Sequence, residues 1–191
     1  MDDEALLERS RRGDRDAFAA LVNRYQDELY TMALRMLANP ADAADVVQET
    51  FLRAYTRLPE LHGKSVRGWL YRVAINCSHD VQRRVARRPA DPLEDETGKI
   101  VDLPDPALGP EASALQRERA AAVRDALIRV PLVFRAALVL RDVNELSYEE
   151  ISEALRIPVG TVRSRLNRGR TMLSASLRAS ALFATPLEGN V

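Results

Sequence analysis

Residues 89–113 constrain the chain more than any other stretch. They hold Pro89, Pro92, Pro104, Pro106 and Pro110, half of the 10 prolines. They also hold Asp91, Glu94, Asp95, Glu96, Asp102, Asp105 and Glu111 against Lys99 alone. Proline removes backbone donors, and a segment with high charge and few large apolar side chains buries too little surface to offset the entropy of ordering. The composition predicts a flexible acidic linker. The alternative, an ordered loop packed on one globule, needs a 25-residue connection that would be unusual in a compact domain. The chain is therefore expected to fold as two halves.

Both halves read as helices, and neither shows strand-like alternation. In the first, residues 2–12 can form a short helix and Asp14 caps a longer one. Phe18, Leu21, Val22, Tyr25, Leu29, Met32, Ala33 and Met36 recur there at three- and four-residue steps. Asn39 and Pro40 supply an N-cap and first-turn proline for a third helix to about Leu58, with Val47, Phe51, Ala54 and Leu58 as its inner stripe. A fourth runs from about Val66 to Ala86, with Trp69, Leu70, Val73, Ala74, Cys77 and Val81 on its apolar side. Helices resume near Ala114, where Leu115, Ala122, Ala126 and Leu127 point to a core. A further helix spans Leu132 to Arg141, with Phe134, Leu138 and Val139 apolar. The expected fold is all-α: a helical domain over 1–88, a linker over 89–113, a second helical domain over 114–178 and a tail over 179–191.

Residues 147–170 carry the clearest chemistry. Ser147 and Glu150 form the Ser-x-x-Glu pattern of a capping box, and Ile151 and Leu155 share one face of the helix that follows. Pro158 and Gly160 break that helix, and a second one starts at Thr161 or a neighbour. Val162, Leu166 and Gly169–Met172 continue its apolar face, while Arg163, Ser164, Asn167 and Arg168 occupy the other. No acidic residue lies between Glu153 and Glu188, an interval that holds six arginines. A capped helix, a tight turn and an arginine-laden second helix form a helix-turn-helix, which places its second helix in the DNA major groove. Arginine makes bidentate bonds to phosphates and guanine edges. A solvated basic helix end would account for the arginines but not for the cap, turn and second helix together.

The formal net charge is +0, so DNA binding must come from local asymmetry. The single cysteine, Cys77, rules out an internal disulfide and suits a reducing, cytoplasmic setting. Cys77 and His79 do not make a zinc site, so no metal is expected. With two histidines and no glycine-rich phosphate loop, no cofactor and no catalytic residue are expected. No apolar run approaches the roughly 20 residues of a membrane span, and the acidic N-terminus does not read as a signal peptide.

Two further segments are suggestive. Asp45, Gln48, Glu49 and Leu52 fall at helical steps on one face, a polar patch around an apolar centre that suits protein docking. A solvated face with acids near the helix start accounts for it equally well. The fourth helix ends in Arg83, Arg84, Arg87 and Arg88, with Arg67, Arg72, Asn76 and His79 upstream. A basic flank beside the small, polar loop 62–65 could hold an unstacked base of a single strand, and a solvated helix end is an equal alternative.

Three motifs in register point further. Asp45-Val-Val-Gln-Glu-Thr-Phe-Leu-Arg-Ala-Tyr55 resembles region 2.2 of the bacterial RNA polymerase sigma factors of the small, extracytoplasmic-function (ECF) type. Gly68-Trp-Leu-Tyr-Arg-Val-Ala-Ile-Asn76 resembles their −10-reading helix, region 2.4. Phe134-Arg-Ala-Ala-Leu-Val-Leu-Arg141, Leu146-Ser-Tyr-Glu-Glu-Ile151 and Pro158-Val-Gly-Thr-Val-Arg-Ser-Arg165 resemble region 4. The likeness covers roughly residues 10–178 with a linker between. It departs from the common pattern in a short loop from Gly63 to Trp69, in His62 and Lys64, and in Val130-Pro131 where Leu-Pro is usual.

The resemblance implies a region 2 bundle and a region 4 helix-turn-helix. Asp45, Gln48, Glu49 and Leu52 would grip the clamp helices of the polymerase β′ subunit. His62, Lys64, Arg72, Asn76, His79, Arg83 and Arg84 would lie near −10 DNA. Tyr148, Glu149, Arg163, Ser164, Asn167 and Arg168 would face the −35 element, and region 4 would dock on the β flap. The implied partners are core RNA polymerase, promoter DNA and an anti-sigma factor, with no membrane insertion. The implied setting is a stress or envelope response. The linker's 25 residues reach at most about 80–90 Å at ~3.3–3.6 Å each, or about two and a half duplex turns of about 34 Å. The residues alone leave a second reading, a stand-alone helix-turn-helix regulator with an N-terminal helical sensor domain, which does not explain 42–55 and 68–76. A helical enzyme has no supporting motif.

Overall fold

A computed structural model describes residues 2–60, 65–87 and 114–180. The expected linker, the tail beyond Ser180, and His62 and Lys64 lie outside the described residues. Among those described there is no strand. Eight α-helices follow one another: α1 Asp3–Arg11, α2 Arg15–Leu37, α3 Pro40–Arg57, α4 Val66–Arg87, α5 Ala114–Arg129, α6 Leu132–Leu138, α7 Tyr148–Leu155 and α8 Val159–Arg178. A 3₁₀ turn at Leu58–Glu60 follows α3, and a π turn at Val139–Val143 follows α6.

The boundaries follow from local chemistry. The Asp14 carboxylate accepts the Ala17 N–H at 3.0 Å and starts α2. Ala38 ends it in the left-handed region at φ 55°. Asn39 Oδ1 then accepts the Ala41 and Asp42 N–H groups at 2.9 and 3.2 Å, with Pro40 in the first turn of α3. These devices answer the orphan donors of a helix start.

α1 and α3 pack on α2, and α4 packs on both α2 and α3. In the second group, α5, α6 and α7 pack on α8. Leu29, Met32, Met36 and Tyr71 are fully buried in the first group, and Leu140, Leu146, Ile151, Val162 and Leu166 in the second. The two groups also touch: α4 lies against α7, and α2 against α5 and α6, so the buried side chains join in one contiguous cluster.

Three expected faces differ from the sequence reading. On α3 the buried set is Ala43, Val46, Thr50 and Ala54. Small residues let the helix approach its neighbours, and the Thr50 hydroxyl is satisfied by the Val46 carbonyl at 2.6 Å. Val47 and Phe51 sit on the flank, where Phe51 meets Phe18 edge-on with ring centroids 6.5 Å apart. On α5, Leu115 is 49% exposed, and the buried positions are Arg124, Ala126 and Leu127. The helix expected over 132–141 gives way at Val139 to a π turn, closed by Asn144 N–H donating to the Val139 carbonyl at 3.0 Å. That wider turn brings both Val139 and Leu140 inward.

The helix-turn-helix forms with two adjustments. Ser147 Oγ accepts the Glu150 N–H at 3.1 Å, and Glu150 Oε2 accepts the Ser147 N–H at 2.7 Å, a complete capping box. The break falls at Arg156 in the left-handed region (φ 54°) and at Pro158, while Gly160 lies within the first turn of α8. Met172 is 40% exposed rather than core. At Gly169 α8 passes close to α6: a Cβ there would stand 3.0 Å from Leu138 Cγ and Cδ1.

Two stability outcomes follow. Gly169→Leu forces α6 and α8 apart and should cost about 1–3 kcal/mol, the usual effect of overpacking. Ser147→Ala leaves the Glu150 N–H without its acceptor and should cost about 1 kcal/mol. Urea unfolding measures both, and a Gly169→Leu midpoint at or above that of the parent chain would refute the close-packing account.

Candidate nucleic-acid and protein-docking surfaces

The four residues at helical steps on α3 come together. Asp45, Gln48, Glu49 and Leu52 line one open groove between α3 and α4, with Arg53, Arg84 and Val85. Leu52 is 59% exposed and Val85 57%, the two most exposed large apolar side chains among the described residues. Around them runs a chain of charges. Glu49 Oε1 meets Arg53 Nε at 2.6 Å, Arg53 reaches Asp80 at 3.6 Å, and Asp80 holds Arg83 at 2.6 Å. The hydrogen bond that Arg53 donates to Glu49 raises the Arg53 pKa, and the one that Arg83 donates to Asp80 lowers the Asp80 pKa. The result is an apolar centre ringed by fixed charges, the anatomy of a protein interface. Arg53 and Val85 were not singled out in the sequence; Arg53 continues the four-residue steps of Asp45 and Glu49, so the spacing could have found it, whereas Val85 comes from a different helix.

On α4, Arg72, Asn76, His79 and Arg83 follow one another at four-, three- and four-residue steps and so share a face. Asn76 and Arg83 are exposed, and His79 is half-buried. Burial first, and Arg83 second, lower the His79 pKa, which favours the neutral imidazole. Its buried Nε2 has no hydrogen-bond partner among the described residues. Arg72 is engaged, donating Nε to the Glu153 carbonyl of α7 at 3.1 Å and Nη2 to the same oxygen. Arg84, expected with this group, lines the α3–α4 groove instead.

On the helix-turn-helix, Glu149 at the start of α7 and Arg163, Ser164, Asn167 and Arg168 along α8 are exposed. Tyr148 is held between two guanidiniums, Arg141 at 5.3 Å and Arg163 at 5.8 Å from its ring centroid. Arg141 is a partner that periodicity did not reveal, since it arrives from the π turn. Arg170 is paired with Asp142 at 2.6 Å, whereas Arg168 makes no ion pair or hydrogen bond among the described residues. The exposed face therefore offers guanidinium, amide and hydroxyl groups to a base edge or phosphate. Among the described residues no cluster of histidine, cysteine and carboxylate could hold a metal. None of the helices is long and apolar enough to cross a membrane.

Comparison with known proteins gives a consistent result along the chain. The model of Sigma-70 region 2 matches residues 21–88, and that of Sigma-70, region 4 matches residues 120–173. The chain is 35% identical over 180 residues to the ECF RNA polymerase sigma factor SigW of Bacillus subtilis, covering 90% of this chain and 95% of that protein. It is 38% identical over 183 residues to the RNA polymerase sigma-H factor of Pseudomonas aeruginosa, covering 92% and 94%. It is 37% identical over 173 residues to the ECF RNA polymerase sigma-E factor of Escherichia coli, covering 88% and 90%. Among solved structures, CnrH in complex with the cytosolic domain of CnrY superposes with a TM-score of 0.72 at 27% identity, covering 94% of this chain and 99% of CnrH. The sigma factor RpoE in complex with the anti-sigma factor NepR from Bartonella quintana shares the fold, with a TM-score of 0.63 at 22% identity over 85% and 98%. With two sigma regions in order and relatives matched over nearly their whole length, the chain belongs to the extracytoplasmic-function RNA polymerase sigma factors of the sigma-70 family.

Proposed function

We propose that this sigma factor docks on core RNA polymerase through the α3–α4 groove and reads a promoter at two places. Residues 1–88 act as the docking and −10 module, 89–113 as the tether and 114–178 as the −35 module. Asp45, Gln48, Glu49 and Leu52 grip the β′ clamp helices. Arg72, Asn76, His79 and Arg83 on α4, with His62 and Lys64, serve the −10 element. Tyr148, Glu149, Arg163, Ser164, Asn167 and Arg168 serve the −35 element, and the second module also docks on the β flap. The observation that carries the reading is the convergence of the four α3 side chains on one groove with an exposed leucine at its centre.

Sigma factors are not enzymes, and we assign this chain no catalytic residue: promoter choice comes from contacts, while polymerase supplies the chemistry. The exposed α8 face supports −35 reading because Arg168 is held by no other group, so its fork is available at no internal cost. An anti-sigma factor is a fitting partner, as two structurally similar sigma factors were solved with a bound protein. A cytoplasmic setting fits this reading, since DNA-bound polymerase works there. A stand-alone regulator would leave the α3–α4 groove without a use.

Glu49→Arg reverses a charge in the groove, and Leu52→Glu buries a carboxylate in its centre. Each should weaken core-polymerase binding at least roughly tenfold, about 1.4 kcal/mol, with an unchanged helical spectrum. A pull-down in which both variants still hold core would remove the docking assignment. Arg168→Ala should cost about 1–3 kcal/mol of −35 binding if the fork reads a base. Run-off transcription should then fall on templates carrying the −35 sequence and change little on templates lacking it. Equal losses on the two templates would show that Arg168 does not read that element.

A further inference from the structure

Arg141 has been given no role toward DNA, yet the structure fixes it beside residues that have one. It leaves the backbone in the π turn Val139–Val143, a widened turn of a kind found often at functional sites. Its Nη1 donates to the Leu146 carbonyl at 2.8 Å, which closes the loop ahead of α7. The Leu146 N–H in turn donates to the Leu140 carbonyl at 2.9 Å. Beside these two bonds Glu145 is held in the left-handed region at φ 57°, a conformation that persists in a non-glycine residue where the surroundings impose it. The neighbouring Asp142 takes the Arg170 fork at 2.6 and 3.3 Å, so the turn is also pinned to α8.

What this frame supports is the Tyr148 ring. The Arg141 guanidinium stands 5.3 Å from the ring centroid and that of Arg163 5.8 Å, both within the roughly 6 Å of a cation–π contact. Arg141 is anchored by the Leu146 carbonyl. The Arg163 guanidinium makes no ion pair or hydrogen bond among the described residues, so the ring is what restrains its fork. Tyr148 is half-buried and opens α7 directly after the capping box at Ser147, which fixes its backbone. The order of dependence therefore runs from the Asp142–Arg170 pair to Arg141, then to Tyr148, then to Arg163.

We propose that Arg141 and the Asp142–Arg170 pair are positioning residues for −35 recognition: they fix Tyr148 so that Arg163 meets DNA in one orientation. The proposal rests on the assignment of the exposed α8 face to the −35 element, and it names what makes one position of that element stringent. A long side chain loses rotamer freedom on binding, and a fork already restrained loses less. Restraint also penalises every base edge that the held fork does not fit, which is how selectivity exceeds affinity. A bidentate arginine fits guanine, so the position concerned is a G·C pair.

The test uses the full chain, alone and with core polymerase, as Arg163→Ala, Arg141→Gln, Arg141→Lys and Asp142→Asn, each confirmed folded by circular dichroism melting. In the free chain, nitrogen NMR relaxation reads the order of the Arg163 Nε–H group. That order should fall to the level of Arg168 in Arg141→Gln and Asp142→Asn, and be largely kept in Arg141→Lys, which retains a cation for the ring. Run-off transcription from a promoter set carrying each single base-pair change in the −35 element reads discrimination. Arg163→Ala should lose at least roughly fivefold at one G·C pair. Arg141→Gln and Asp142→Asn should lose about threefold or more at that same pair and less than about twofold elsewhere, with Arg141→Lys restoring it. Arg141→Gln combined with Arg163→Ala should lose no more than Arg163→Ala alone. Asp142 is an anion, so its effect is not the loss of a phosphate contact. Unchanged Arg163 order in Arg141→Gln would overturn the positioning. So would a uniform loss at all positions, or losses that add to those of Arg163→Ala. Reduced order with no position altered even in Arg163→Ala would instead overturn the assignment of α8 to the −35 element and leave the positioning of Arg163 standing.

Discussion

Arg135 carries a charge inside the protein, and among the described residues no carboxylate answers it. It is 3% exposed, and desolvation pushes its pKa down to about 10. What it has instead are carbonyls. Its Nε and Nη2 donate to Val130 O at 3.2 and 3.0 Å, Nη2 also to Ile128 O, and Nη1 to Met36 O. Ile128 and Met36 lie in the last turns of α5 and α2, where carbonyls lack partners within their own helix and the helix dipole is negative. One guanidinium thus completes two helix ends, one from each group. With α2 fixed against α6, the π turn that follows α6 delivers Asn144 to Tyr71.

The same economy governs the remaining arginines. The chain has as many basic as acidic groups, so a cation is available to a ligand only where its own neighbours leave it free. Arg53 is committed to Glu49, Arg83 to Asp80 and Arg170 to Asp142. Exposed pairs of this kind contribute little stability, with a median of about 0–1 kcal/mol. Their larger effect is to offset part of those cations' charge in the surface field. On α8, Arg163 leans on the Tyr148 ring and Arg168 makes no ion pair or hydrogen bond among the described residues, so both stay available. Specificity can therefore reside in a few donors of fixed orientation instead of a broad positive surface.

How much of this was legible in the sequence depended on the range of the interaction. Caps and breaks involve neighbours, and Asp14, Asn39-Pro40 and the Ser147–Glu150 box fall where the sequence puts them. The grouping of the four groove-lining residues was legible because three- and four-residue steps place them on one helix face. Faces chosen by bulk were less so: α3 buries Ala43 and Thr50 and turns Phe51 to its flank, since close helix approach favours small side chains. The contacts between groups were not legible at all. Arg72 was legible only as part of a basic flank, and nothing local marked Asn144 or Tyr71, because their partners are 43 to 81 positions away. The helix-turn-helix was recognised as a DNA reader, but its pairing with α4 has no local signature.

The balance of that pairing can be argued from what forms it. Both groups belong to one chain, so closing avoids the translational and rotational loss of about 4–15 kcal/mol that separate proteins incur on association. A modest interface therefore suffices to hold the molecule closed. Opening returns Arg135, Arg67 and Arg72 to water, and the hydration they regain offsets much of what the broken bonds gave, since net hydrogen-bond contributions are only about 0.5–1.5 kcal/mol each. A purely apolar interface would behave otherwise, exposing surface at about 25 cal/mol per Å² with nothing regained. A polar seam between two apolar cores thus sets the opening free energy within reach of a partner that binds the open form better, and by only that difference in affinity.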